Sequence, residues 1–150
     1  MRQPIQVLVY PVKRTEIGDW EYLLLRRISS RGGFWQGVTG GVEGGESLIE
    51  AAKRELAEET GFITSNLYDI NYSYSFPIED RWRNIYVPGT EIIVEHVFVA
   101  EINNRRFPEL SCEHDKFRWC NFEKALRLLQ WPDNVEALKR SNTFLKDFTC

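Results

Sequence analysis

Apolar and polar positions change rhythm several times along the chain, and the changes outline its elements. IQVLVYPV (5–12) and EYLLLRR (21–27) are short, almost unbroken apolar runs on either side of the polar stretch KRTEIGD, and they read as two strands. SSRGG (29–33) is a loop, and FWQGVTG (34–40) leads from a short strand into a glycine loop. Helical spacing follows. Ser47 with Glu50 is a capping-box pair, so a helix is expected to begin there, and Gly61 is well placed to end it. LYDINYSYSF (67–76) and EIIVEHVFVAEI (91–102) are strand-like, with the turn dipeptide Pro88-Gly89 before the second. KFRWC (116–120) reads as a last strand, and NFEKALRLLQ (121–130) and the segment after Pro132 as helices. Interleaved strands and helices predict a mixed α/β fold with helices covering a sheet.

Composition narrows the class. A chain of 150 residues without internal repeat, low-complexity tract or linker suits one domain spanning 1–150. Its apolar content of 43% and five tryptophans indicate a globular protein. A net charge of −3 argues against general nucleic-acid binding, which favours a basic domain. The cysteines Cys112, Cys120 and Cys150 form no CxxC pair and read as free thiols in a reducing compartment. Cys112, His114 and Cys120 match no strong zinc spacing. The apolar run near the N-terminus is too short to span a membrane and lacks a cleavage pattern, so a soluble cytoplasmic protein without membrane partners is expected.

The 47–61 helix is crowded with carboxylates. At 100° per residue Glu55, Glu58 and Glu59 share one arc of about 100°, where like charges repel and cost helix stability. Ile49, Ala52 and Leu56 lie beside them and are expected to bury against the sheet, so the carboxylates border the core. Arg54, four residues from both Glu50 and Glu58, can pair with either. A solvated, glutamate-rich face is the plain reading of three glutamates alone. A hard divalent cation would offset the repulsion, since Mg²⁺ favours carboxylate oxygens and keeps waters for substrate phosphates.

The flanking residues decide between the two. Gly40, Glu46, Arg54-Glu55, apolar Leu56, Glu58-Glu59, Gly61 and apolar Phe62 fall at fixed spacings, a match expected by chance on the order of 10⁻⁷. This pattern resembles the Nudix box, with every defining position filled. The resemblance implies a mixed sheet sandwiched between helices, with the box as loop–helix–loop. It implies Mg²⁺- or Mn²⁺-dependent hydrolysis of a nucleoside diphosphate linked to another group. Glu55 and Glu59 match metal ligands; Glu58 matches a third ligand or the group that deprotonates water. Arg54 matches the orienting arginine, Glu46 lies at the loop end of the site, and Thr39 matches the residue whose backbone carbonyl meets the metal.

Three further stretches, FWQGVTGGVEGGE (34–46), YVPG (86–89) and EHDKFRW (113–119), resemble the group of bacterial dihydroneopterin triphosphate pyrophosphatases. That likeness implies a pterin or nucleoside triphosphate substrate, cut to monophosphate and pyrophosphate. It implies that Glu113 completes the metal site and acts in catalysis, and that Arg26 contacts phosphate. Since side chains alternate along a strand, only one of Arg26 and Arg27 is expected to serve the site; Arg31 is a further phosphate candidate. Trp35, Tyr72, Tyr74, Phe76 and Trp82 are candidates for stacking on the substrate ring, although most aromatics in such a domain are core. The spacing of Pro77 resembles ADP-ribose pyrophosphatases, and Tyr72 with Tyr74 points toward dinucleoside polyphosphate hydrolases. A non-catalytic nucleotide-binding module is the remaining reading, which an intact box disfavours.

Overall fold

A computed structural model of the protein describes residues 2–103 and 107–148. Seven strands, β1 (Ile5–Arg14), β2 (Trp20–Arg27), β3 (Trp35–Gln36), β4 (Val38–Gly41), β5 (Leu67–Pro77), β6 (Ile92–Glu101) and β7 (His114–Cys120), form one sheet. Three helices cover it: α1 (Leu48–Thr60), α2 (Phe122–Leu128) and α3 (Pro132–Phe148). β1 lies parallel to β6, and the other strand pairs are antiparallel. One edge of β1 is shared. Its residues 12–14 pair with β2 and its residues 6–9 with β4, so β2 and β4 diverge from a common neighbour.

The apolar runs are unbroken because both faces of the central strands are buried. Val7, Val9, Leu23, Leu25 and Phe98 face Ala51, Ala52 and Leu56 of α1. Leu8, Tyr10, Tyr22, Leu24, Val97 and Val99 face Ala125 of α2 and Ala137, Leu138 and Leu145 of α3. Alternation along each strand thus feeds two cores, and the sheet is held between α1 on one side and α2 with α3 on the other. Removing the fully packed Leu56 side chain would cost about 2–5 kcal/mol.

The caps expected for α1 are formed. Ser47 Oγ accepts from the Glu50 amide at 3.2 Å, and Glu50 Oε1 accepts from the Ser47 amide at 3.0 Å. Gly61 ends the helix at φ 76°, a left-handed conformation that costs glycine little, and its amide donates to Ala57 O. One expectation for α1 needs correction. Ile49 is 42% exposed rather than buried. The buried arc runs through Ala51, Ala52, Leu56, Glu59 and Thr60, which places Glu59 at its centre. Of its two expected partners Arg54 takes Glu58, at 3.4 Å, and not Glu50, whose carboxylate the capping box already uses.

Elsewhere, 34–40 is two strands, β3 and β4, rather than one. β5 is interrupted by a register shift between Asp69 and Ser73, where Asn71 takes φ 57° and its amide donates to Asp69 Oδ1. A six-residue 3-10 segment, Asp80–Ile85, joins β5 to the turn before β6 and has no counterpart in the sequence reading. Cys112 and Cys120 are free thiols, and Cys150 lies outside the described residues. Among the described residues no helix is long and apolar enough to cross a membrane.

Candidate active site

Arg54 organises the loop–helix junction. Its Nε and Nη2 donate to the two oxygens of Glu46 at 2.7 and 3.0 Å, and Nη2 also donates to Gly41 O at 2.8 Å. Nη1 donates to Glu55 Oε1 at 2.8 Å and to Glu58 Oε2 at 3.4 Å. One guanidinium therefore ties the end of β4, the loop and two turns of α1 together. This is a task for a planar fork with five donors. The many carboxylates around Arg54 hold its pKa well above the usual arginine range.

Glu59 is the anomaly. Its side chain is 4% exposed, and among the described residues neither carboxylate oxygen meets a nitrogen or hydroxyl donor; the group within hydrogen-bond reach is another carboxyl, that of Glu55. Burial, reinforced by the charge of Glu55, pushes its pKa up to about 9. Burial also raises Glu55, although Arg54 opposes the shift. His114 Nε2 lies 3.6 Å from Glu59 Oε1, but burial and Arg27 lower the histidine pKa, so it offers Glu59 no full positive charge at neutral pH. Ligand atoms of Glu59, Glu113 and His114 all lie within 4.8 Å of one another. A carboxylate left without partners in the interior is costly. Two orphaned oxygens beside two more carboxylates fit a hard divalent cation.

Of these groups Glu55, Glu59 and Glu113 line a cavity of about 780 Å³. Glu55, Glu58, Glu59 and Glu113 contribute acid, Arg2, Arg27 and Arg31 contribute base, and Thr39 to Gly41 of β4 form a wall. A second cavity, of about 1200 Å³, shares Gln6, Arg27, Arg31 and Thr39 with the first and continues toward the N-terminus of α3.

Glu55, Glu58, Glu59, Glu113 and Thr39 thus meet around one space, with Arg54 bonded behind them. Arg26 and Trp35 do not join them. Arg26 donates through Nε and Nη2 to both oxygens of Asp115, at 3.0 and 2.8 Å, and lines neither cavity. Trp35 is its cross-strand partner and packs against the α2–α3 core. A register shift between Arg26 and Arg27 re-aims the chain, and Arg27 is the one of the pair that faces both cavities. The Arg27 Nε is buried and, among the described residues, has no hydrogen-bond partner. Of the candidate aromatics, Tyr74, Phe76 and Trp82 line the second cavity, whereas Tyr72 lies outside it with the Arg140 guanidinium 4.8 Å from its ring centre.

Sequence reasoning weighed His114 only with Cys112 and Cys120 and did not join it to the carboxylates, and it missed Arg2, Phe34 and Trp131. His114 adjoins Glu113, and that adjacency was the available signal. Arg2 reaches the site only through the pairing of its segment with residue 86, which no local pattern announces.

Residues 3–140 match the NUDIX domain. The chain is 38% identical to the dihydroneopterin triphosphate diphosphatase of Haemophilus influenzae over 111 residues, which is 71% of this chain and 70% of that protein. It is 37% identical over 138 residues to a Myxococcus xanthus octanoyltransferase, covering 92% of this chain but spanning only 37% of the length of that relative. The structure of the E. coli dihydroneopterin triphosphate pyrophosphohydrolase superposes with a TM-score of 0.77 at 28% identity, covering 93% of this chain and 94% of that one. With the box intact, its carboxylates gathered at one cavity and the domain matched over most of its length, this chain belongs to the NUDIX family, hydrolases of phosphoric anhydride bonds.

Proposed function

We propose that the protein is a Mg²⁺-dependent pyrophosphohydrolase that cleaves a pterin or nucleoside triphosphate, with dihydroneopterin triphosphate or a dATP-like nucleotide as substrate, to the monophosphate and pyrophosphate. The observation that carries this reading is the meeting of carboxylates and arginines at one cavity, whose lining includes Glu59 with its donor-less oxygens together with Arg27 and Arg31. The adjoining cavity is roomy enough for a ring system, and the similarity to two dihydroneopterin triphosphate hydrolases supports the pterin.

Glu55, Glu59 and Glu113 would hold Mg²⁺ or Mn²⁺, with the Thr39 carbonyl and Glu58 as further oxygen donors. When bound, the cation neutralises phosphate oxygens and lowers the pKa of water. The protein's own groups do the rest. Arg27 and Arg31 bind the phosphate chain, for which guanidinium geometry is suited. Glu58, 56% exposed, takes a proton from the attacking water. The water oxygen forms a new bond to the α- or β-phosphorus as the bond from that phosphorus to the α–β bridging oxygen breaks, in line, and the electron pair leaves on that oxygen, so that the two halves separate as monophosphate and pyrophosphate. Arg54 fixes Glu55 and Glu58 for this step and carries no charge to the substrate itself. The exposed thiol of Cys112 suits a reducing compartment, and we place the enzyme in the cytoplasm.

The test is a panel of dihydroneopterin triphosphate, dATP, ADP-ribose and diadenosine polyphosphates incubated with Mg²⁺, with products identified by mass. Pyrophosphate and a monophosphate from one of the triphosphates is the expected result. Turnover confined to ADP-ribose or the diadenosine polyphosphates would replace the substrate, and tight binding without hydrolysis of any member would make the chain a binding module.

A further inference from the structure

The second cavity has an aromatic wall and a polar floor. Phe34 and Trp131 meet edge to face at 5.7 Å, and Trp82 and Phe76 stand among the other lining residues. Trp82 and Trp131 are 46% and 50% exposed, large aromatic surfaces turned to an open space. Glu95 on β6 forms part of the same lining and is only 5% exposed. A cavity that needed only to hold a flat ring would be served by an apolar floor. Burying a carboxyl there is costly unless it finds donors.

The carboxyl is held in a fixed orientation. The Tyr74 hydroxyl donates to Glu95 Oε2, and Asn134 Nδ2 donates to the Tyr74 oxygen at 3.1 Å. The Tyr10 hydroxyl in turn donates to the Asn134 carbonyl at 2.8 Å. This chain commits the Tyr74 proton to one oxygen of Glu95. Among the described residues no side chain donates to the other oxygen, and each carboxylate oxygen has two lone pairs.

We propose that Glu95 is the specificity-determining residue of the cleft, accepting two hydrogen bonds from the ring N–H and amino group of a 2-amino-4-oxopyrimidine edge, as carried by guanine and pterin. The inference rests on the proposed phosphohydrolase reading of the adjoining cavity, which would hold the phosphates of the same molecule. The two donors of that edge are spaced like those of a guanidinium and match a carboxylate as a fork. The adenine edge presents a ring nitrogen lone pair beside its amino group, and that lone pair meets the carboxylate with repulsion. Burial raises Glu95 to about 7, so a pair of donors would draw it to its ionised form. A site built for hydrogen bonds rejects an analogue lacking them far more strongly than an apolar pocket does.

Calorimetric titration without metal tests this apart from catalysis, with GMP, neopterin monophosphate and AMP as probes. Wild type is expected to bind GMP, neopterin monophosphate or both about tenfold or more tighter than AMP, with the stronger of the two identifying the ring. Glu95→Gln presents one acceptor and one donor, and should bring the ratio to near one or invert it in favour of AMP. Glu95→Asp, which keeps the charge and shortens the reach, should weaken the preferred ligand without strengthening AMP. Equal binding of all three by wild type, or a preference unchanged in Glu95→Gln, would overturn the proposal. The same preference in a protein that hydrolyses no triphosphate would leave this assignment standing and refute the proposed activity.

Discussion

Gly40 packs so closely against Glu55 that a Cβ at position 40 would overlap the Glu55 carboxyl. The strand β4 and the helix α1 approach each other at this point, and only a residue without a side chain lets the carboxylate lie between them. Gly40→Ala should therefore displace Glu55 while leaving the α1 core residues in place. We expect activity to fall by at least about a hundredfold, as small misplacements at a reacting centre do, with a stability loss of about 1–3 kcal/mol. Steady-state kinetics and urea unfolding on the same variant would check both.

Arg54 holds Glu46 and Glu55, whose side chains are 15% and 13% exposed. Arg54→Ala leaves both carboxylates without their main partner and should cost about 2–3 kcal/mol. Arg54→Lys keeps the charge, but one ammonium cannot reach Glu46, Glu55 and Gly41 O together. It should recover stability more fully than activity, a split that thermal melting and kcat measurements would show.

Arg27 and Arg26 separate cleanly. Arg27→Ala should lower kcat/KM by about 10- to 100-fold, the effect of losing a charged hydrogen bond to phosphate. Arg26→Ala removes only its exposed pair with Asp115 and should change kcat/KM less than about threefold. Equal losses in the two variants would return Arg26 to the site.

Much of this arrangement was legible in the chain. The capping pair Ser47 and Glu50 and the stop at Gly61 bounded α1, and the spacing of Glu55, Glu58 and Glu59 marked a shared face. Those are local signals, carried within a few residues. What local signals misjudged depends on partners distant in sequence. The resemblance pointed to Arg26, and nothing nearby in the chain shows that Asp115, 89 positions away, takes the Arg26 guanidinium. Glu50 was offered to Arg54 although the cap had claimed it. Trp35 packs, half-buried, against the α2–α3 core because the chain leaving α2 runs beside β3, as the bridge from Trp35 to Leu129 shows. Glu95 passed as an ordinary strand residue, since its burial beside Tyr74 and Asn134 depends on the docking of α3.

The titration of Glu59 has a sign that can be tested. Its folded pKa of about 9 lies far above the ordinary 4.5. Between those two values the folded protein keeps a proton that the unfolded chain has released, so metal-free stability falls as pH rises through this window. Glu95, raised to about 7, acts in the same direction over a narrower range. Without metal, the melting temperature should fall steadily from pH 5 to pH 9. Glu59→Gln should remove most of that decline, leaving a residue that ends near pH 7. A decline as steep in the variant as in wild type would show that Glu59 is ionised throughout.

The central claim is that the crowded carboxylates of α1 exist to hold a divalent cation, and the Mg²⁺ dependence of the melting temperature tests it most directly. Binding to the ionised native cluster adds RT ln(1 + [Mg²⁺]/Kd), about 1.4 kcal/mol at ten times Kd, enough to shift a domain of this size by a few degrees. At pH 8 Mg²⁺ should raise the melting temperature of wild type, and at pH 5 much less, because protons then compete for the same oxygens. The Glu55→Gln, Glu59→Gln double variant should show no Mg²⁺ response and be no less stable than wild type without metal. An equal Mg²⁺ shift in wild type and double variant would place the cation elsewhere and contradict the account.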